Sequence, residues 1–279
     1  MEPIALSIEE IYDGSYEGYE VVLDQSLNPR SPDVLYEKFN ALGPTPASIV
    51  LDIGCRDAVQ ACELHHRFGC RVEGIDVVDS NIQAAQKHIT NKDLTHAVHV
   101  VQGDIHEMSY PEDRFDFIWC GDVVGHMRDL HQAFKSCARV LKPNGKMLIF
   151  QVFATGLLTE EEAKHLWLPL ATNPENMSRD HFERAFTEAG FSVLEADSIS
   201  SEWREYGEET ESKRTSIQLL RIARLRRHRE RFLAEFGVKD YAAELANAHY
   251  GVYQMLGKLS PVIYSLVNSG DQKERTKQS

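Results

Sequence analysis

Val50-Leu51-Asp52-Ile53-Gly54-Cys55-Arg56-Asp57-Ala58-Val59 is the stretch whose reading decides the fold. A β-type run that begins at Ser48 ends at Gly54, and a helical pattern follows. Glycine at such a turn lets a ligand approach the backbone closely. The N–H groups at the start of the following helix face the same ligand. A second run, Cys70-Arg71-Val72-Glu73-Gly74-Ile75-Asp76, ends on Asp76, 22 residues after Gly54. That is the place and spacing of a carboxylate that accepts two ribose hydroxyls. The two runs together predict nucleoside binding at the carboxyl edge of a parallel sheet.

Further β-branched runs follow at 97–102, 115–120, 146–151 and 191–196, with helical patterns between them. A repeat of roughly 20–30 residues is the rhythm of βα units feeding a parallel sheet covered on both faces. Leu130, Ala133, Phe134, Cys137, Ala138 and Leu141 recur at helical spacing, and Pro143-Asn144-Gly145 turns that helix into the fifth strand. Ser178 reads as the N-cap of a helix that Gly190 closes. Residues 211–235 and 240–258 read as two more helices, the first strongly basic, before a last strand at Val262–Val267. The expected fold is α/β: a doubly wound, mostly parallel seven-stranded sheet whose last strand pair is split by a helical insertion. Asp104 after the third strand, and Cys120 and Asp122 after the fourth, fall on the edge that carries Gly54 and Asp76, where open sheets bind ligands.

The glycine pattern discriminates among nucleosides. A dinucleotide fold expects G-x-G-x-x-G, with backbone room for a pyrophosphate. Here one glycine is followed by Arg56, Asp57 and Ala58, and Asp57 would repel a pyrophosphate. Nicotinamide and flavin cofactors are disfavoured. Asp52 and Asp57 suit a cationic or zwitterionic ligand instead.

Composition bounds the function. The chain has 279 residues, 42 % hydrophobic and 26 % charged, as in folded globular proteins. Its net charge of −13 argues against general affinity for nucleic acid. No apolar run reaches the roughly 20 residues of a membrane span. Met1 to Glu10 lacks a secretory pattern. Five cysteines without a CxxC pair point to a reducing, cytoplasmic setting and not to disulfides or zinc. No metal is read from the histidines, which lack ligand spacing on a common face.

Several of these segments together resemble the class I S-adenosylmethionine-dependent methyltransferases, in the small-molecule branch that includes sarcosine, quinone-precursor and natural-product methyltransferases. Leu51-Asp52-Ile53-Gly54-Cys55 matches that family's first motif, Gly74-Ile75-Asp76 its second and Gln102-Gly103-Asp104-Ile105 its third. Phe115-Asp116-Phe117-Ile118 followed by Asp122-Val123-Val124-Gly125-His126 resembles the fourth. Arg139-Val140-Leu141-Lys142-Pro143-Asn144-Gly145 is close to the common RVLKPGG turn, and Ala189-Gly190-Phe191 matches the start of the sixth strand. The likeness covers about 48–197 and is specific to the family, not to a substrate. The chain departs from it at Arg56 and Ala58, where the family has its second and third glycines.

The resemblance implies a Rossmann-like core at 48–200 that binds S-adenosyl-L-methionine and yields S-adenosyl-L-homocysteine. A helical lid segment at 1–47, a helical insertion or lid at 201–260, a final strand at 261–268 and a flexible tail at 269–279 complete the organisation. Asp76 would hold the ribose, Asp104 the adenine amino group, and Val77 and Ile105 would sandwich the ring. Asp52, together with the backbone at Gly54, Cys55 and Cys120, would face the methionine portion. Tyr16, with Tyr12 and Tyr19, would close over the cofactor. His126 is the candidate base with Asp122 as its partner. Gln151, Phe153 and Trp167 would contact a small-molecule acceptor nucleophile on nitrogen, oxygen or carbon.

Each role has a plainer alternative. Gly54 could serve only a tight turn, Asp76 could be a surface carboxylate, Asp104 could cap a turn, and His126 could bond nearby backbone. The tyrosines could be hydrophobic anchors. The arginines at 213–231 could serve an RNA- or protein-directed methyltransferase. Their acidic neighbours, and a stripe of Leu219, Leu220, Ile222, Ala223 and Leu225, favour a solvated, ion-paired face. They could also attract an anionic acceptor. The missing glycines leave open a non-catalytic cofactor-binding partner. The aromatic second lid helix could pack on its own core or on a twin subunit, giving a homodimer.

Overall fold

The computed structural model describes residues 4–12, 17–210 and 212–270. Helices α1 (Ile8–Tyr12), α2 (Glu17–Leu23) and α3 (Val34–Ala41) precede β1 (Ile49–Ile53). The alternating unit follows: α4 (Val59–Phe68), β2 (Arg71–Asp76), α5 (Asp79–Asn91), β3 (Val98–Gln102), β4 (Phe115–Gly121), α6 (Leu130–Val140) and β5 (Leu141–Ala154). The chain then forms α7 (Glu160–Trp167), α8 (Arg179–Glu188), β6 (Phe191–Ser198), α9 (Glu202–Glu209), α10 (Arg214–Arg227), α11 (Arg229–Met255) and β7 (Leu259–Asn268).

The sheet has seven strands in the order β3-β2-β1-β4-β5-β7-β6. β1 to β5 are parallel, and β7 runs antiparallel between β5 and β6. This is the doubly wound sheet read from the sequence. β1 and β4 are neighbours although two strands separate them in sequence, and Ile53 stands in register with Cys120. Here the winding reverses, and the loops after β1 and β4 diverge to leave a crevice. Parallel strands are buried on both faces, so β1 reads as a near-continuous apolar run. Leu51 and Ile53 pack with Phe134 and Phe182 on one face of the sheet. Val50 packs with Phe39 and Trp119 on the other.

The turn at 143–145 forms as expected. Asn144 takes a left-handed conformation, and a Cβ on Gly145 would lie 2.7 Å from Leu141 Cγ and 2.8 Å from the Lys142 carbonyl. Ser178 Oγ accepts the His181 N–H and caps α8.

Two regions differ from the sequence reading. The segment 1–47 is not all lid, because α3 is a core helix. Phe39 is fully buried, edge-on to Phe117 and Trp119 at 5.5 Å each. Arg30 bridges Asp197 and Glu202, and Lys38 bridges Glu195 and Asp197, so this segment is tied to β6 and α9. The basic helix expected at 211–235 ends at Arg227, and α11 starts after a break at His228. Gly237, at φ 82° and ψ 171°, breaks α11 again. Folding back at 228 lets Ile222 pack with Ala248 and Val252, which one straight helix could not do. Ile222 and Leu225 are buried, whereas Leu219, Leu220 and Ala223 are exposed, so the apolar stripe is narrower than expected. Arg221 pairs with Glu244 across the hairpin.

The placement of α3 has a measurable consequence. Phe39→Ala is expected to lower unfolding free energy by about 3–5 kcal/mol in urea titrations. Tyr12→Ala on exposed α1 is expected to change it by less than about 0.5 kcal/mol.

Candidate active site

The crevice starts from the tips of β1 and β2. The N–H groups of Gly54 and Cys55 both donate to the Ile75 carbonyl, at 2.8 and 3.0 Å. Gly54 has φ +71°, and Arg56 and Ala58 have φ +47° and +60°. The two residues that replace the family's glycines therefore keep a left-handed backbone, at about 1–2 kcal/mol each for a residue with a Cβ. The Arg56 N–H donates to one Asp76 carboxylate oxygen at 3.1 Å. The other oxygen accepts from the Val78 N–H at 2.9 Å and from Asn81 Nδ2 at 3.1 Å. Gly54, Asp76, Val77 and Ile105 line one crevice, with Gly103, Val123 and Met127 completing it. A Cβ at Gly54 would stand 2.3 Å from Val123 Cγ2.

Asp52 lies beneath this loop, in register with Trp119. It is 1 % exposed, and neither carboxylate oxygen has a hydrogen-bond partner. Burial, with the nearby charge of Asp76, pushes its pKa up to about 7. An unpartnered buried carboxylate is costly, and a cation beside it would offset that cost.

The remaining cofactor expectations divide. Cys55 turns its side chain into the core, against Gly74, and its N–H is spent on Ile75. The Cys120 thiol is fully buried in the sheet core, and burial lifts it far above the ordinary thiol range. Neither thiol lines the crevice. Asp104 caps the 3-10 turn Ile105–Glu107: its carboxylate accepts the His106 N–H at 2.9 Å, contacts the His106 ring at 2.5 Å, and lies 3.3 Å from Arg128. Partial burial raises its pKa, but the His106 contacts and Arg128 outweigh burial and hold it below the usual range. This is the capping alternative; the carboxylate is already engaged at the crevice edge. Tyr16 lies outside the described residues. Tyr12 and Tyr19 are 81 % and 69 % exposed and do not line the crevice.

A second cavity, expected on the acceptor side, is built around Asp122. Its left-handed backbone, φ +56°, turns the chain at the tip of β4, and its N–H donates to the Phe150 carbonyl at 2.8 Å. The expected partnership with His126 does not form. Tyr250, from α11, donates its hydroxyl to the Asp122 carboxylate at 3.1 Å. Asp122 is open to solvent through the cavity, yet the protein packed around it raises its pKa, opposed by the Tyr250 hydroxyl, His126 and Arg204. Burial and the Asp122 charge push the Tyr250 phenol well above its ordinary value. His126 Nδ1 lies 3.1 Å from the Ala171 carbonyl. A carbonyl only accepts, so Nδ1 carries a proton, and in the neutral ring Nε2 is the nitrogen with the lone pair. Gln151 is buried, donates to the Val152 carbonyl at 2.9 Å, and leaves its own carbonyl oxygen unpartnered. Asp122, His126, Gln151 and Tyr250 line a cavity of about 300 Å³ with Met177 and Asn247.

Phe153 is not at this cavity. It sits one pleat further along β5, under α8, with its ring 5.2 Å from that of Phe182. Trp167 is 3 % exposed and meets Tyr250 edge-on at 6.5 Å, so it backs the tyrosine and does not line the cavity. Sequence reasoning missed Tyr250 and Arg204 as site residues. Tyr250 was visible only as one aromatic in a helix, and Arg204 carries no motif signal.

The sheet order, with its crevice at the β1–β4 reversal, is the fold of several methyltransferases of known structure. Residues 51–149 match the family model described as "Methyltransferase domain". The chain is 27 % identical over 180 residues to methyltransferase GfsG of Streptomyces halstedii, covering 64 % of this chain and 64 % of that protein. It is 36 % identical over 133 residues to a ubiquinone biosynthesis O-methyltransferase of Bradyrhizobium diazoefficiens, covering 46 % and 51 %. The matches thus span less than two thirds of these relatives' lengths. The fold is shared with geranyl diphosphate C-methyltransferase from Streptomyces coelicolor A3(2), solved with Mg2+, geranyl diphosphate and S-adenosyl-L-homocysteine. The TM-score is 0.62 at 16 % identity, covering 84 % of this chain and 78 % of that one.

The loop geometry separates its left-handed positions. Gly54→Ala drives a Cβ into Val123 and is expected to weaken S-adenosylhomocysteine binding by about 100-fold or more, on the order of 3 kcal/mol. Arg56→Gly, which removes a strained Cβ, is expected to leave affinity within about threefold. Isothermal calorimetry on both variants checks this.

Proposed function

We propose that the protein transfers a methyl group from S-adenosyl-L-methionine to a nucleophilic atom of a small metabolite, and does so in the cytoplasm. One observation carries the reading: the left-handed Gly54 lines a crevice with Asp76, the left-handed Arg56 donates its N–H to that carboxylate, and Val123 of the Asp122–His126 turn lines the same crevice. Among the described residues no helix is long and apolar enough to cross a membrane, and all five cysteines are free and buried.

The residues fit the cofactor. Asp76 is the ribose carboxylate, Val77 and Ile105 flank the base, and the orphaned Asp52 carboxylate meets the ammonium end. When bound, S-adenosylmethionine supplies a methyl group on sulfonium, already activated for displacement. The protein's task is then alignment in a site shielded from water. Asp122 and Tyr250 fix one wall of the acceptor cavity, and Gln151 offers its unpartnered carbonyl oxygen to a donor on the acceptor. His126, with Nε2 free, takes the proton of a nucleophile that arrives protonated.

Calorimetric titration with S-adenosylmethionine and S-adenosylhomocysteine tests the reading; binding of neither compound would overturn it. His126→Ala is expected to lower kcat by about 10²-fold or more with little change in cofactor affinity. Unchanged turnover from pH 6 to 9 would remove the base assignment.

Asp52 gives a pH signature. Its folded pKa of about 7 exceeds the ordinary 3.8, so the sign is opposite to that of a salt-bridged aspartate. Its contribution to stability is complete below about pH 4 and is lost between about pH 4 and 7, at no more than about 1.4 kcal/mol per unit. A cation binding beside it favours the ionised form. Cofactor binding at pH 6 is therefore expected to release up to about one proton, fading above about pH 8. Calorimetry in buffers of different ionisation enthalpy measures this, and Asp52→Asn is expected to abolish it.

A further inference from the structure

The wall formed by Asp122 and Tyr250 has a second cavity behind it, of about 460 Å³. Phe150 and Trp203 stack there at 4.6 Å and 20°, giving a flat aromatic flank. Arg204 reaches into the same space from α9. Its Nε donates to Gln254 Oε1 at 2.9 Å, and one terminal nitrogen lies 3.4 Å from Gln218 Oε1. Both partners are neutral amides. Among the described residues no carboxylate forms a salt bridge with Arg204, although burial disfavours its charge. The support is built in: Gln218 lies across Gly251, where any Cβ would stand 1.8 Å from its Oε1. The guanidinium is thus held in one orientation with its other terminal nitrogen unspent. Arg214, Tyr206, Thr210 and Ser212 add a second cation and three hydroxyls to the cavity.

A half-buried guanidinium held by neutral amides is poised for a planar oxyanion, which it can grip through paired N–H bonds. Asp122 in the same wall repels polyanions and so favours a single negative charge. We infer that this cavity binds the non-reacting end of the methyl acceptor, that this end bears one carboxylate on a flat apolar body, and that Arg204 is the residue that selects it. The inference rests on the reading of the adjoining 300 Å³ cavity as the acceptor site. It also adds Arg204, upstream of the 213–231 arginines, to the anion-binding role, with Arg214 the one member of that group in the cavity.

The test uses the full chain saturated with S-adenosylhomocysteine. The probes are para-hydroxybenzoate, para-coumarate and a hydroxynaphthoate, each titrated against its own amide and against the aryl phosphate of matching size. Acids are expected to bind about tenfold or more tightly than amides. Arg204→Met is expected to erase that preference while leaving S-adenosylhomocysteine affinity unchanged, and Arg204→Lys to retain part of it. Should Arg204→Met fail to fold, the acid-against-amide comparison in the unmodified protein still decides. Bound S-adenosylhomocysteine with acids no better than amides, or with no probe bound, overturns this inference alone. Tighter binding of the phosphates overturns the single-carboxylate assignment. A protein that binds no S-adenosylhomocysteine overturns the functional reading and this inference with it.

Discussion

The Ile75 carbonyl, accepting from both Gly54 and Cys55, is the constraint on which the site depends. It ties the end of β1 to the end of β2 one residue before Asp76. The loop then continues through alternate left-handed positions, Gly54, Arg56 and Ala58, and its Arg56 N–H arrives at the Asp76 carboxylate. Strand pairing, loop shape and carboxylate orientation follow from one acceptor used twice. The same geometry explains how Arg56 and Ala58 stand where the family has glycine. The backbone path is imposed by its ends, so residues with a Cβ bear strain there instead of changing the path.

The second half of the site depends on a contact of the opposite kind. Asp122 and Tyr250 lie 128 residues apart and meet only because the insertion after β6 folds back over the β4 tip. Local geometry contributes the aspartate, through its left-handed turn and its bond to Phe150. The helical hairpin contributes the tyrosine, with Trp167 behind it. The cavity proposed for the acceptor is thus divided between a rigid sheet edge and an appended layer. Such a layer can diversify without disturbing cofactor binding.

This division sets what was legible in the sequence. The β1 and β2 tips were readable because glycine and a strand-end aspartate at fixed separation have few other uses. The Pro143-Asn144-Gly145 turn and the Ser178 cap were equally local and equally clear. α3 was misassigned because a short amphipathic helix carries no mark of which surface it covers; Phe39 became core through contacts with Phe117 and Trp119, far away in sequence. Cys55 and Cys120 were read for their backbone at the strand tips; that strand alternation buries their side chains depends on register and was not legible. Phe153 shares a face with Gln151, but only the position of α8 decides that it packs and does not line. The basic helix was misjudged in length for the same reason: a hairpin at His228 is dictated by the partner helix, and propensity did not mark it.

The charge pattern links the two halves. The cofactor side concentrates negative charge, with Asp52 buried and without a partner and Asp76 just beyond it. Such an arrangement is stable only if one carboxyl is protonated or a cation lies nearby, which suits a ligand carrying an ammonium and a sulfonium. At the Asp122 cavity the roles differ: Arg204 is held by neutral amides and feels Asp122 without forming a salt bridge with it, and Asp122 already holds the Tyr250 hydroxyl. A ligand that is positive at one end of the crevice and a ligand that is negative at the far end of the other cavity would each relieve an unbalanced group. Their neutral or weakly polar centres would meet between Val123 and Asp122. On the proposed reading, electrostatics would order the two ligands along the edge of the sheet, with the transferable methyl between them.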